Sequence, residues 1–274
     1  MGLFRRKNRN RREVTQAPEW QQSEGLCYLL ANLQGIGTRE LQEDSFTTCN
    51  SLDPALYREK GLLFAVCDGM GGMRGGGLAS NTAVEYFRMA FNALDLNGDI
   101  PDQLEQSVVN ASEAIKAQLE GEGGSTAALG IIYRDQLYFA SVGDSFLYLM
   151  RNGCLLRLNR EQNICHERYL ECIRSHIFEP EVCRDDPEAA MLSQYLGMHG
   201  ITDIDRNVRP YPLERGDVLL ACTDGVGGVL TEDEIAAVLS QSSPQQMCRD
   251  LEGMIFAHAD PHQDNYTALV VICV

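Results

Sequence analysis

The stretch Phe64-Ala65-Val66-Cys67-Asp68-Gly69-Met70-Gly71-Gly72 sets an apolar run against one carboxylate and then a series of glycines. Leu62–Cys67 is short, apolar and bounded by glycine, which reads as a buried strand. An aspartate at the end of such a strand is costly unless it is paired or bound to a metal. The glycines behind it let the backbone turn tightly and bring a carbonyl close to an ion. A plain glycine-rich turn is the bland alternative. A nucleotide loop is not, because residues 69–77 hold neither GxGxxG nor GxxxxGK[ST].

The same arrangement recurs. Ser141-Val142-Gly143-Asp144-Ser145 closes a second apolar run, and Leu219-Leu220-Ala221-Cys222-Thr223-Asp224-Gly225 closes a third. Asp264-Asn265 stands just before a fourth. Upstream, Arg39-Glu40-Leu41-Gln42-Glu43-Asp44 joins a guanidinium fork suited to phosphate oxygens with carboxylates suited to a metal or its waters. Singly, each motif reads as a hairpin turn or a solvated charge run. Jointly, they predict strand ends lining a carboxylate cavity. An all-oxygen site suits Mg²⁺ or Mn²⁺ rather than zinc. Carboxylates packed so closely would repel and protonate without a cation between them.

Further runs read as strands: Thr126–Tyr133, Leu137–Val142, Phe146–Met150, Val218–Thr223 and Tyr266–Val274. The turns Arg134-Asp135 and Asn152-Gly153 predict hairpins and antiparallel pairing. Val84, Phe87, Phe91 and Leu94 recur at helical spacing, as do Leu104, Val108, Ala111, Ile115 and Leu119. Thr231-Glu232-Asp233-Glu234 is a capping box, and Pro244 opens another helix to about His258. Blocks of strands and blocks of helices predict an α+β chain. No repeat or linker divides it. We expect a basic, disordered tail over 1–24, then one domain over 25–274, with a partly helical surface insertion at about 159–200.

The chain has 274 residues and a net charge of −16, but residues 1–12 hold six basic groups and no acid. The body is therefore more acidic still, which excludes nucleic acid as a partner and suits cations or basic segments. No apolar run is long enough to span a bilayer. Met1-Gly2 invites myristoylation, but Arg6 breaks the motif. The basic start is followed by no apolar stretch, so no signal peptide is expected. Ten cysteines include no CxxC pair, and without an export signal they read as reduced thiols of a cytoplasmic protein. Cys165-His166, Cys172, His176 and Cys183 could be taken for a zinc site, but their spacings match no common pattern.

The motifs RELQEDSF (39–46), FAVCDGMGG (64–72), GGSTAA (123–128), ASVGDSFLY (140–148), LLACTDGV (219–226) and DNYTALVV (264–271) jointly resemble the type 2C metal-dependent protein phosphatases, the PPM family, in bacterial form. The resemblance runs from about Cys27 to Val274. It implies an antiparallel β-sandwich flanked by helices on both sides, in α-β-β-α layers. It implies hydrolysis of phosphoserine and phosphothreonine in proteins by a metal-activated water, with two Mn²⁺ or Mg²⁺ ions and room for a third. By resemblance Asp68 bridges two metals, the Gly69 carbonyl binds one, and Asp224 and Asp264 complete the protein ligands. Asp44 belongs to the metal set with Glu43 behind it, both through coordinated waters; Asp144 with Asp224 recruits the third ion. Arg39 binds the substrate phosphate. Phosphoproteins, and a Hanks-type serine/threonine kinase as counterpart, are the implied partners of a monomeric signalling enzyme.

Two positions depart from the family. Met70 stands where animal members carry histidine, so a water is expected to protonate the leaving group. Phe146 stands where the family usually has arginine, which weakens an internal ion pair. The alternatives are a phosphoprotein-binding module without turnover, and a scaffold whose acids only solvate it.

Overall fold

The computed structural model describes residues 25–70, 75–177, 181, 183, 185–241 and 243–274; the expected tail over 1–24 lies outside them. Strands β1 (Tyr28–Gly35), β13 (Tyr266–Cys273), β12 (Val218–Cys222), β8 (Phe146–Arg151) and β9 (Cys154–Arg157) form one sheet in that order. Strands β10 (Asp205–Arg206), β7 (Gln136–Val142), β6 (Ala127–Tyr133), β3 (Leu62–Cys67) and β2 (Ser45–Cys49) form the second, with β11 (Tyr211–Pro212) beside β7. A two-stranded ribbon, β4 (Gly69–Met70) and β5 (Gly124–Ser125), stands apart. All pairings are antiparallel.

Antiparallel sheets usually leave one face in water, and their strands then alternate apolar with polar. Here the central strands are apolar throughout because both faces are covered. In β3, Leu62, Phe64 and Val66 point between the sheets, where they meet Leu147, Leu149, Leu219 and Leu269. Leu63, Ala65 and Cys67 point outward onto α2 (Gly75–Asn92) and α3 (Ile100–Leu119), against Phe87, Val108 and Ile115. In β13, Leu269, Val271 and Cys273 face inward. Ala268, Val270 and Ile272 face α6 (Glu232–Leu239) and α7 (Pro244–His258). Three apolar layers result, at about 1.5–3 kcal/mol for each large side chain fully buried. The order of layers is helix, sheet, sheet, helix, as expected.

The local signals read from sequence are all used. Thr231 and Glu234 form the reciprocal capping box of α6, and Pro244 begins α7. Arg134, Asp135, Asn152 and Gly153 all have φ between 51° and 80°, the conformation of a tight hairpin turn. A short helix, α1 (Pro54–Lys60), is capped by Asp53, whose side chain accepts from the amides of Ala55 and Leu56. The insertion is helical in part: α4 (Ile164–Arg174) starts at Asn163 and buries none of its own residues.

Register puts one end of both sheets together. The C-terminal end of β3 lies beside the start of β6, and Ala127 at that start pairs Val142 at the end of β7. In the other sheet, Cys222 at the end of β12 pairs both Ala268 near the start of β13 and Phe146 at the start of β8. Residues 143–145 are no hairpin, since β7 and β8 belong to different sheets and this turn crosses between them.

Candidate active site

That end of the sandwich holds a cavity of about 320 Å³ lined by Arg39, Glu43, Asp68, Asp144, Asp224 and Asp264, with Gly69 and Met70 on the floor. Asp68 follows β3, Asp144 sits in the turn after β7, Asp224 opens the short helix α5 (Asp224–Gly227) after β12, and Asp264 precedes β13. The two sheets thus contribute two aspartates each. Arg39, Glu43 and Asp44 come from the loop 36–44, which joins β1 of one sheet to β2 of the other.

Asp44 lies beneath the cavity and is 4% exposed. The Thr223 hydroxyl donates to its Oδ2 at 2.9 Å. Burial nevertheless raises its carboxyl to about 7, and the charges of Asp224 and Asp264 add to the rise. Burial, then the charge of Asp224, raises Asp144 to about 7 as well. Asp68 goes well above the carboxylate range, from burial first and then the charges of Asp44 and Asp224. Asp224 is also raised by burial, although a hydrogen bond shared with Asp68 opposes the rise. The like charges of the two carboxyls favour a proton on one of them.

The donor set fits hard divalent cations. All the acids offer oxygen, with no thiol or imidazole among the lining residues. Glu43 Oε1, Asp44 Oδ1 and Asp224 Oδ1 are buried without hydrogen-bond partners, and buried carboxylate oxygens need a donor or a cation. Among the described residues no three acids stand already drawn together as a finished metal cluster. The orphaned oxygens carry the assignment instead. Gly69 is held tightly: a Cβ there would come within 2.1 Å of the Gly76 carbonyl oxygen and 2.5 Å of that of Glu43.

Arg39 Nη2 donates to Asp264 Oδ2 at 2.5 Å, with both side chains about half exposed. The expected phosphate clamp therefore rests on an expected metal ligand. Phe146, where the resemblance calls for arginine, receives a cation from elsewhere. The Arg157 guanidinium lies 4.2 Å over its ring and pairs with Glu161.

Several supporting residues escaped the sequence reading. Asn265 was read only as the neighbour of Asp264, yet it fastens the loop 36–44. Its Nδ2 donates to the carbonyls of Ile36 and Leu41 at 2.9 and 3.0 Å, and its Oδ1 accepts from the Glu43 amide at 2.7 Å. Thr126 accepts from the Asp68 amide at 3.0 Å. Thr223 accepts from the Thr267 amide while donating to Asp44. Thr223 and Asn265 adjoin an aspartate in sequence, but no local signal marks their long-range partners or Thr126. The Cys and His residues of 165–183, whose spacings match no zinc pattern, form no metal-holding group among the described residues. Cys172 and Cys183 do lie side by side, with sulfurs 3.7 Å apart.

An antiparallel sandwich with helices on both faces and a carboxylate cavity where the sheets meet defines a metal-dependent phosphohydrolase scaffold. Residues 32–174, just over half of the chain, match the family model described as protein phosphatase 2C. The chain belongs to the protein phosphatase 2C family. It is 28% identical over 222 residues to a serine/threonine phosphatase, stp, of Listeria innocua, covering 78% of this chain and 85% of that one. The serine/threonine protein phosphatase PstP of Mycobacterium tuberculosis is 25% identical over 216 residues, covering 76% of this chain and 40% of PstP. Among solved structures, PppA of Pseudomonas aeruginosa superposes with a TM-score of 0.72 at 26% identity, over 90% of this chain and 98% of that chain. The catalytic domain of PstP bound to two manganese ions superposes with a TM-score of 0.70 at 24% identity, over 91% of this chain and 99% of that domain.

Proposed function

We infer that this chain is a serine/threonine phosphatase of the 2C type that uses two Mn²⁺ or Mg²⁺ ions, with Asp144 and Asp224 able to recruit a third. The observation that carries the reading is the convergence of Asp68, Asp144, Asp224 and Asp264 from both sheets on one cavity with Arg39 at its rim. Asp68, Asp224 and Asp264 hold the ions together with the Gly69 carbonyl, while Asp44 and Glu43 stand behind them. When bound, the ions supply the Lewis acidity that activates a water and neutralises the phosphoryl oxygens.

The chain's own residues do the rest. Arg39 offers a planar fork to the phosphate dianion and turns from Asp264 to it. Asn265 holds the Arg39 loop at its distance from the aspartates. Thr223 and Thr126 fix Asp44 and the Asp68 backbone, so the acids need little reorganisation during the reaction. Met70 carries no titratable proton, so the leaving serine oxygen draws its proton from elsewhere. The lining holds no serine or cysteine, and its one hydroxyl, on Thr126, is engaged with the Asp68 amide and Ser145, which supports direct attack by water over a covalent phosphoenzyme.

The domain over 25–274 would act as one catalytic unit, with the segment 159–200 as a flap beside the cavity, since Ala190 and Leu192 line it. Phosphoproteins are the substrates, and a Hanks-type kinase the opposing activity. No described helix is long and apolar enough to cross a membrane, which is compatible with a monomer acting in the cytoplasm. The test is hydrolysis of p-nitrophenyl phosphate after chelation and Mn²⁺ replenishment. Mn²⁺-dependent turnover is expected. Phosphopeptide binding in calorimetry with no turnover under any divalent ion would instead favour a binding module.

A further inference from the structure

The segment 159–200 contains a thiol pair that the catalytic reading does not use. Helix α4 runs outward from Ile164, and residues 185–191 run back beside it. The Ile164 amide donates to the Met191 carbonyl at 2.9 Å and the Cys165 amide to the Ala189 carbonyl at 3.0 Å. One turn further out, Arg168 pairs with Asp186 at 2.6 Å. One turn beyond that, Cys172 Sγ meets Cys183 Sγ at 3.7 Å. The contacts step along both chains in register, and the two sulfurs close the outer end. At the inner end the same return chain carries Ala190 and Leu192, which line the catalytic cavity.

We propose that Cys172 and Cys183 form a hydroperoxide-oxidisable dithiol whose disulfide staples the return chain to α4. The sulfurs are already nearly in contact, so bond formation needs a small approach rather than a rearrangement. Cys165 is no rival partner for Cys172. Both lie on α4 seven residues apart, about 10 Å along the axis, beyond the reach of a disulfide. Cys183 is fully buried and Cys172 partly exposed, which makes Cys172 the sulfur that meets the oxidant. Burial, then the neighbouring Cys172, raises the Cys183 thiol, so Cys183 stays protonated until the sulfenic acid forms beside it.

The chemistry balances with a hydroperoxide as the only co-reactant. The Cys172 thiolate attacks the peroxide, forming an S–O bond as the O–O bond breaks, and leaves a sulfenic acid with one water. Cys183 sulfur then attacks Cys172 sulfur. The S–S bond forms, the S–O bond breaks, and the oxygen departs as a second water with the Cys183 proton. Two thiols are oxidised and one hydrogen peroxide is reduced to two waters. The proposal does not depend on which substrate the cavity takes.

The test is peptide mass mapping of the full chain after stoichiometric hydrogen peroxide, blocking with N-ethylmaleimide and digestion without reductant. The expected result is a Cys172–Cys183 linked peptide pair that dithiothreitol reverses, with alkylated Cys172 recovered about tenfold less than before oxidation. In Cys183→Ser, the linked pair disappears and dimedone traps a sulfenic acid on Cys172. Recovery of both cysteines alkylated while exposed Cys154 is oxidised would overturn the proposal. So would a link from Cys172 to another cysteine, or stoichiometric zinc in the purified chain that protects these thiols from alkylation.

Discussion

Arg39 and Asp264 meet at 2.5 Å across the mouth of the cavity, so the guanidinium that suits a phosphate is parked on a carboxylate that suits a metal. Both side chains are about half exposed, and such a pair adds about 0–1 kcal/mol to stability. Its interest is functional. A cation at Asp264 would compete with Arg39 for the carboxylate and would free the guanidinium for substrate.

Arg39→Ala should therefore leave the melting temperature nearly unchanged while lowering kcat/KM for a phosphoserine peptide by about 10–100-fold, the worth of a charged hydrogen bond. The loss should fall mainly on KM. Steady-state kinetics beside a thermal melt separate the two effects.

The raised carboxyls predict an unusual pH profile for the metal-free chain. Asp44 and Asp144 titrate near 7 in the folded state and near 4 when unfolded. Between those values the folded chain holds more protons than the unfolded chain, so stability falls as pH rises from about 4 to about 7. The expected loss is on the order of several kcal/mol across the acidic set. Melts in EDTA should decline through that window, and saturating Mn²⁺ should restore stability most strongly at the alkaline end. Flat metal-free melts from about pH 4 to about pH 7 would count against the buried acidic cluster.

Asp144→Ala tests the third ion separately from the first two. Two tight Mn²⁺ sites should remain in calorimetry, the weakest should vanish, and turnover should fall by about tenfold or more. Loss of all Mn²⁺ binding would make Asp144 part of the principal pair instead.

Away from the chemistry, Asp217 is 1% exposed and accepts from Arg151 at 2.8 and 2.6 Å. Asp217→Ala leaves the Arg151 guanidinium with only Glu214, the Pro212 carbonyl and the Tyr211 ring, and should cost about 1–3 kcal/mol in urea unfolding. Its activity at low temperature should stay near that of the parent.

Much of this was legible in the sequence for one physical reason. Strands covered on both faces are apolar throughout, so Leu62–Cys67 and Val218–Cys222 stand out, and the aspartates ending them cannot be mistaken for core. Capping boxes and type I′ turns are equally local signals, which is why Thr231, Pro244 and Asn152 read correctly. Residues whose importance lies in long-range hydrogen bonds were hidden. Asn265 reaches Ile36 and Leu41 more than two hundred residues away, and nothing in its own neighbourhood shows that. Helix α4 was obscured because it is polar on average and buries none of its residues, so its few apolar positions do not mark a core face. The switch of sheets at Gly143–Ser145 was equally invisible, because a crossing turn and a hairpin use the same residues.

Asp68 and its partners are proposed to make a metal-dependent phosphatase site. Phosphate release from a phosphoserine peptide, followed in chelator-stripped protein titrated with Mn²⁺ and compared with Asp68→Ala, addresses it most directly. The account predicts turnover that rises with Mn²⁺, is abolished again by EDTA, and is slower by about 10³-fold or more in Asp68→Ala. Turnover indifferent to chelation, or an Asp68→Ala variant as active as the parent, would contradict it.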